Sequence, residues 1–80
     1  MAKMRIHLTF PPEQIKDPVI YQLGRDFNLV TNIRRADVTA TYGWVALEIE
    51  GRQDDLERGV AWLKEKGLKV DPIEKDVIAP

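Results

Sequence analysis

Eighty residues with 44% hydrophobic and 31% charged content bound this chain to one ordinary globular domain, small enough that a partner copy would help to stabilise its core. The absence of cysteine excludes disulfides, thiolate-held zinc, Cys-ligated iron–sulfur clusters and a cysteine nucleophile. With 12 Lys+Arg against 13 Asp+Glu, the net charge of −1 supplies no overall field for nucleic acid or an anionic membrane.

Met4, Ile6, Leu8 and Phe10 alternate with Lys3, Arg5, His7 and Thr9, which predicts an opening strand with one buried and one polar face. A secretory signal needs an unbroken apolar stretch, and no run in the chain approaches the ~20 apolar residues that span a bilayer. A cytoplasmic protein without membrane insertion is expected. Pro11-Pro12 ends the strand, because proline cannot donate to a sheet ladder. Asp17 suits an N-cap with Pro18 at the first helical position, and Val19, Ile20, Leu23 and Phe27 then share a face at helical spacing. Asn28 is a natural stop, since asparagine tolerates the left-handed conformation that closes helices.

The segment from Leu29 to Gly51 reads as two strand-like runs joined at Tyr42-Gly43. In the first, Val38, Ala40 and Tyr42 take one phase and Thr39 and Thr41 the other. Ile33 is out of phase with Val38 and Ala40, which predicts a bend or bulge near Arg34 to Ala36, a feature beside which binding sites often lie. In the second run Val45, Leu47 and Ile49 alternate with Trp44, Ala46, Glu48 and Glu50 until Gly51. Arg52 to Lys66 predicts a second helix with Leu56, Gly59, Val60 and Leu63 in one stripe, Asp54 and Asp55 near its N-terminus, and Gly67 closing it. Leu68 and Val70 offer a short last strand before Pro72. Residues 1–72 form the expected domain, and 73–80 a C-terminal extension without clear period.

Strand, helix, strand, strand, helix, strand is the order of an α+β, ferredoxin-like βαββαβ sandwich. Right-handed crossovers place both helices on one face of a four-stranded antiparallel sheet. The other face stays open and would carry Arg5, His7, Thr9, Trp44, Ala46 and Glu48.

Thr31-Asn32-Ile33, Ala36-Asp37-Val38, the run GWVALEIEG from Gly43 and the run GVAWLKEKGLKV from Gly59 together resemble the NIL domain over nearly the whole chain. That family occurs at the C-terminus of the ATP-binding subunit of bacterial methionine importers and as small free-standing proteins. The resemblance implies a regulatory homodimer that binds methionine near its interface, with Asn32 as the counterpart of the family's ligand-contacting asparagine. An amide suits that task because it can donate to a carboxylate and accept from an ammonium group. One departure stands inside the motif: the family's Asn-Ile-Leu is here Asn32-Ile33-Arg34, so the apolar contact of that leucine is lost. The sequence also lacks the phosphate loop GxxxxGK[ST], so regulation is expected to act through a separate protein partner.

Asn32, Ile33 and Arg34 are therefore the expected ligand-binding residues, and Trp44 and Val38 the expected interface residues. Asn32 also has a plain role as a turn residue at the start of a strand, and Arg34 and Arg35 as surface cations loosely paired with acidic neighbours. Large aromatics that a small monomer cannot bury often mark interfaces, which favours a dimer or ligand contact for Trp44 and edge-of-core packing for Trp62. His7 is the only histidine, so a multi-histidine metal site is impossible. With Glu48 and Glu50 it reads as sheet-face polarity, and no activated nucleophile accompanies it. The chain is read as a non-enzymatic module without cofactor or metal. An interaction module without a small ligand is the alternative. Binding of single-stranded RNA ranks below both, because the open face offers one aromatic and several acids, and acylphosphatase-type catalysis ranks last for want of a phosphate cradle.

Overall fold

The computed structural model describes residues 1–73 of the chain. The elements run β1 (Ala2–Phe10), a single 3-10 turn (Pro12–Gln14), α1 (Val19–Phe27), β2 (Val30–Val38), β3 (Gly43–Gly51), α2 (Gln53–Glu65) and β4 (Lys69–Pro72). The strands pair antiparallel in the order β2-β3-β1-β4, which is the ferredoxin-like arrangement predicted from the sequence. β1 and β3 therefore lie inside the sheet, and β2 and β4 form its two edges.

The core fills the space between the sheet and both helices. Ile6 and Leu8 of β1 and Val45, Leu47 and Ile49 of β3 meet Val19 and Leu23 of α1 and Leu56 and Leu63 of α2. Gly59 sits where α2 approaches α1: a Cβ there would lie 3.0 Å from the Leu23 and Leu29 side chains, so hydrogen alone fits without a shift. Trp62 packs at the core's margin against Phe27, with ring centroids 5.5 Å apart, and the Lys66 ammonium lies 5.3 Å from its ring centroid, as its place beside the helix stripe suggested. Asp55 is buried at 8% exposure, and Arg58 one turn later donates to its carboxylate, so it is held by an ion pair as well as by the helix terminus.

Several boundaries differ from the sequence reading. α1 begins at Val19 with Pro18 as its N-cap, and the Asp17 side chain makes no cap. Pro18 has φ −79° and ψ 63°, the geometry of an inverse γ-turn, and the Val19 amide donates 2.8 Å to the Asp17 carbonyl. The main chain of Asp17 thus does what its carboxylate was expected to do. Asn28 ends α1 in the left-handed region at φ 57°, as predicted. β2 stops at Val38 and does not reach Tyr42. The Thr39 hydroxyl accepts from the amides of Thr41 and Tyr42, and the Thr39 amide donates 2.7 Å to the Tyr42 carbonyl, so the side chain closes a turn in place of a ladder. α2 is one residue shorter at each end than the predicted 52–66. Of the predicted extension, Ile73 donates 2.9 Å to the Arg5 carbonyl beside β1, and positions 74–80 lie outside the described residues.

Candidate functional site

β2 is where the molecule is least self-sufficient. Only Thr31 in it is even half-buried, and it exposes Val30, Ile33 and Val38 at 60%, 53% and 54%. Its register against β3 shifts between Ile33 and Arg35, the bulge predicted from the phase of Ile33. Before the bulge Ile33 stands opposite Leu47 and Asn32 opposite Glu48; after it Arg35 stands opposite Ala46, Ala36 opposite Val45 and Val38 opposite Gly43. Directly opposed residues share a face. Thr31, Ile33, Ala36 and Val38 therefore face the helices, and Asn32, Arg35 and Asp37 face the open side. The extra residue in Arg34-Arg35 is what lets both apolar pairs point the same way.

On the helix side the sheet is wider than α1 can cover. A cavity of about 260 Å³ remains there, lined by Ile33, Ala36 and Val38 of β2, Phe10 of β1, and Ile15, Asp17, Pro18 and the first turn of α1 through Tyr21. Its walls are mostly apolar. Two polar features border it: Asp17 and the N-terminal turn of α1, whose first amides lack intrahelical acceptors. One turn beyond Tyr21 the Arg25 guanidinium lies 5.2 Å from the Tyr21 ring centroid and donates 2.7 Å to Asp26, a hydrogen bond that holds the Asp26 carboxyl below its ordinary range.

The open face is a polar lattice. Glu48 lies between Arg5 at 3.5 Å and Arg34 at 3.8 Å, so Arg34 is loosely paired there and does not enter the cavity. His7 stacks on Trp44 with ring centroids 5.2 Å apart and planes 16° from parallel. Trp44 is half-buried by this contact and stands opposite Asp37 of β2. Of the three residues expected to bind ligand, the fold sends Ile33 into the cavity and Asn32 and Arg34 to the opposite face. Of the two expected at an interface, Val38 lies on the bare edge and Trp44 one strand behind it. Sequence reasoning missed the cavity's far wall. Its signal was an isolated apolar Ile15 in a polar connection immediately before Asp17-Pro18.

The sequence profile of the NIL domain matches residues 4–72. The chain belongs to the NIL domain family. It is 31% identical over 74 residues to the methionine import ATP-binding protein MetN of Streptomyces avermitilis, covering 88% of this chain and 21% of that protein. The MetN protein of Bacillus subtilis is 26% identical over 72 residues, covering 85% and 21%. This NIL domain thus spans about a fifth of the length of the curated relatives it matches. Its fold is that of the C-terminal domain of an ABC transporter ATP-binding protein from Enterococcus faecalis, with a TM-score of 0.78 at 16% identity over 91% of this chain and 86% of the other. Among the described residues no helix is long and apolar enough to cross a membrane.

Proposed function

We propose that this NIL domain is a non-catalytic regulatory module that works as a homodimer and binds a small amino acid with an apolar, methionine-like side chain beside β2. The observation that carries this reading is the cavity itself. At about 260 Å³ it falls below the ~300–1,000 Å³ of pockets for drug-sized ligands and suits one amino-acid side chain. Its polar border has the charges of a zwitterion's complement, with Asp17 toward an ammonium group and the head of α1 toward a carboxylate. Methionine is the first candidate because curated relatives are methionine import ATP-binding proteins.

In this reading Ile33 supplies an apolar wall. Asn32 and Arg34 lie on the open side of the same strand, at the bulge that turns Ile33 and Val38 to one face, and contribute to binding through that bulge. Val38 lies in the subunit interface, and Trp44, braced by His7, borders it behind Asp37.

A thermal-shift series with the twenty amino acids and S-adenosylmethionine tests this directly, because a ligand of the native state raises the midpoint by mass action. Methionine is expected to stabilise, and Ala36→Phe, which fills the cavity, is expected to abolish the response. Stabilisation by none of the compounds would overturn ligand sensing and leave an interaction module that works through protein contacts alone.

A further inference from the structure

We infer that β2 pairs antiparallel with β2 of a second copy of this chain in one register, with a two-fold axis at Ala36 and Arg35 of each protomer opposite Asp37 of the other. This deepens the dimeric reading above and rests on it. The inference comes from the order of side chains along a bare edge. Counting the bulged Arg34-Arg35 as one position, β2 reads from Ile33 to Val38 as apolar, cationic, small, anionic, apolar. Reversed, the same series is its own complement.

Other registers lose this match. An axis at Arg34 or at Arg35 sets a cation against its own copy, and an axis at Asp37 sets two carboxylates together, each a like-charge pair that destabilises a sheet. An axis at Ile33, with the bulge counted in the same way, opposes Arg34-Arg35 to Asn32 and Asp37 to Val30, so neither charge meets its opposite. A slip by one residue would set helix-face residues of one protomer against open-face residues of the other, which directly opposed residues of one sheet cannot be. The axis at Ala36 alone gives two Arg35–Asp37 pairs on the open face and, through the bulge, sets Ile33 of each protomer beside Val38 of the other on the helix face.

The edge is also built for pairing more than for avoiding it. Edge strands resist association by being short, by carrying charges or proline, or by a bulge that twists the edge away. β2 has a bulge and charges, but it has nine residues and three exposed large aliphatics, and its charges of both signs fall in complementary places. Pairing with its own copy also joins the two sheets into one, with both pairs of helices on the same side. Ile33, Ala36 and Val38 line the cavity, so in this register the same residues of the partner subunit stand across its open side, about 4.5–5.5 Å away between opposed Cβ atoms. The site is then incomplete in one protomer, and a ligand held there tightens the dimer.

The test is sedimentation velocity on the full chain over a concentration series, with and without methionine, for the wild type, Arg35→Asp, Asp37→Arg and their equimolar mixture. In the wild type every opposed pair is attractive. In either single variant both pairs become like-charged, and the dimer dissociation constant is expected to rise roughly tenfold or more. In the mixture each carboxylate of the Arg35→Asp chain meets a guanidinium of the Asp37→Arg chain, and the dimer returns. That recovery is the control for folding, since an unfolded chain does not regain its partner on mixing. Because the sequence contains no cysteine, Ala36→Cys gives a second reading: an axis at this residue brings the two Cα atoms within disulfide reach, and mild oxidation is expected to link the protomers. A wild-type dimer whose single variants associate equally well, or whose mixture fails to recover, overturns the register and leaves the dimer standing. A wild type that stays monomeric with and without methionine overturns the dimeric reading itself.

Discussion

β2 and β4 are the two edges of one sheet and meet solvent in different ways. β4 has four residues, and it ends on Pro72, which has no amide to offer. Its open-face Lys69 and Asp71 lie 3.9 Å from each other, so their charges are turned inward along their own strand. β2 is more than twice as long, carries exposed Ile33 and Val38 on the side where the cavity opens, and holds Arg35 and Asp37 on the other. The β4 edge has the features that keep strands from recruiting neighbours. Of such features the β2 edge has only a bulge and charges, and its length and exposed aliphatics are what the proposed pairing uses.

The sharpest contrast is between Leu47 and Ile33, which stand opposite each other on the same face at 1% and 53% exposure. Leu47→Ala is expected to cost about 2–5 kcal/mol of stability in denaturant unfolding, because the interior cannot close over the lost volume. Ile33→Ala is expected to cost the monomer no more than ~1 kcal/mol while removing the methionine-dependent rise in thermal midpoint. Equal losses of stability would mean that β2 is an ordinary structural strand. Next in size is Asn32→Ala, for which calorimetry is expected to show weaker amino-acid binding at a nearly unchanged midpoint. A large drop in midpoint would instead make Asn32 a structural residue at the start of the strand. The smallest effect belongs to Arg34→Leu, which restores the family's tripeptide. Arg34 is half exposed and 3.8 Å from Glu48, so the midpoint is expected to move by less than ~1 kcal/mol equivalent. A larger change would show that the bulge depends on this arginine.

The strands, both helices and the bulge were legible because each rests on a period: alternation in β1 and β3, the three-to-four spacing of Val19, Leu23 and Phe27, and the broken phase at Ile33. The places that misled are those where a polar group changed its partner. Thr39 looked like strand because it is β-branched, yet its hydroxyl captures two amides and ends β2. Asp17 looked like a side-chain cap, yet the γ-turn at Pro18 gives that work to its carbonyl.

The candidate site was legible in part for a related reason. The family motif pointed to Asn32, Ile33 and Arg34 as one cluster, but neighbours along a strand point to opposite faces, and only Ile33 reaches the cavity. The cavity itself depends on how far α1 covers the sheet, a matter of tertiary placement that no local pattern in the sequence records. The complementarity of Arg35 and Asp37 becomes visible only once β2 is known to be an edge.

Hydrogen exchange compares the two edges most directly. Amide protection is measured along Asn32 to Val38 and along Lys69 to Pro72 at a low and a high protein concentration, each with and without methionine. The account predicts that protection within the β2 stretch rises with concentration and rises further with methionine, while the β4 amides exchange at one rate throughout. β2 amides that stay equally unprotected under all four conditions would contradict it.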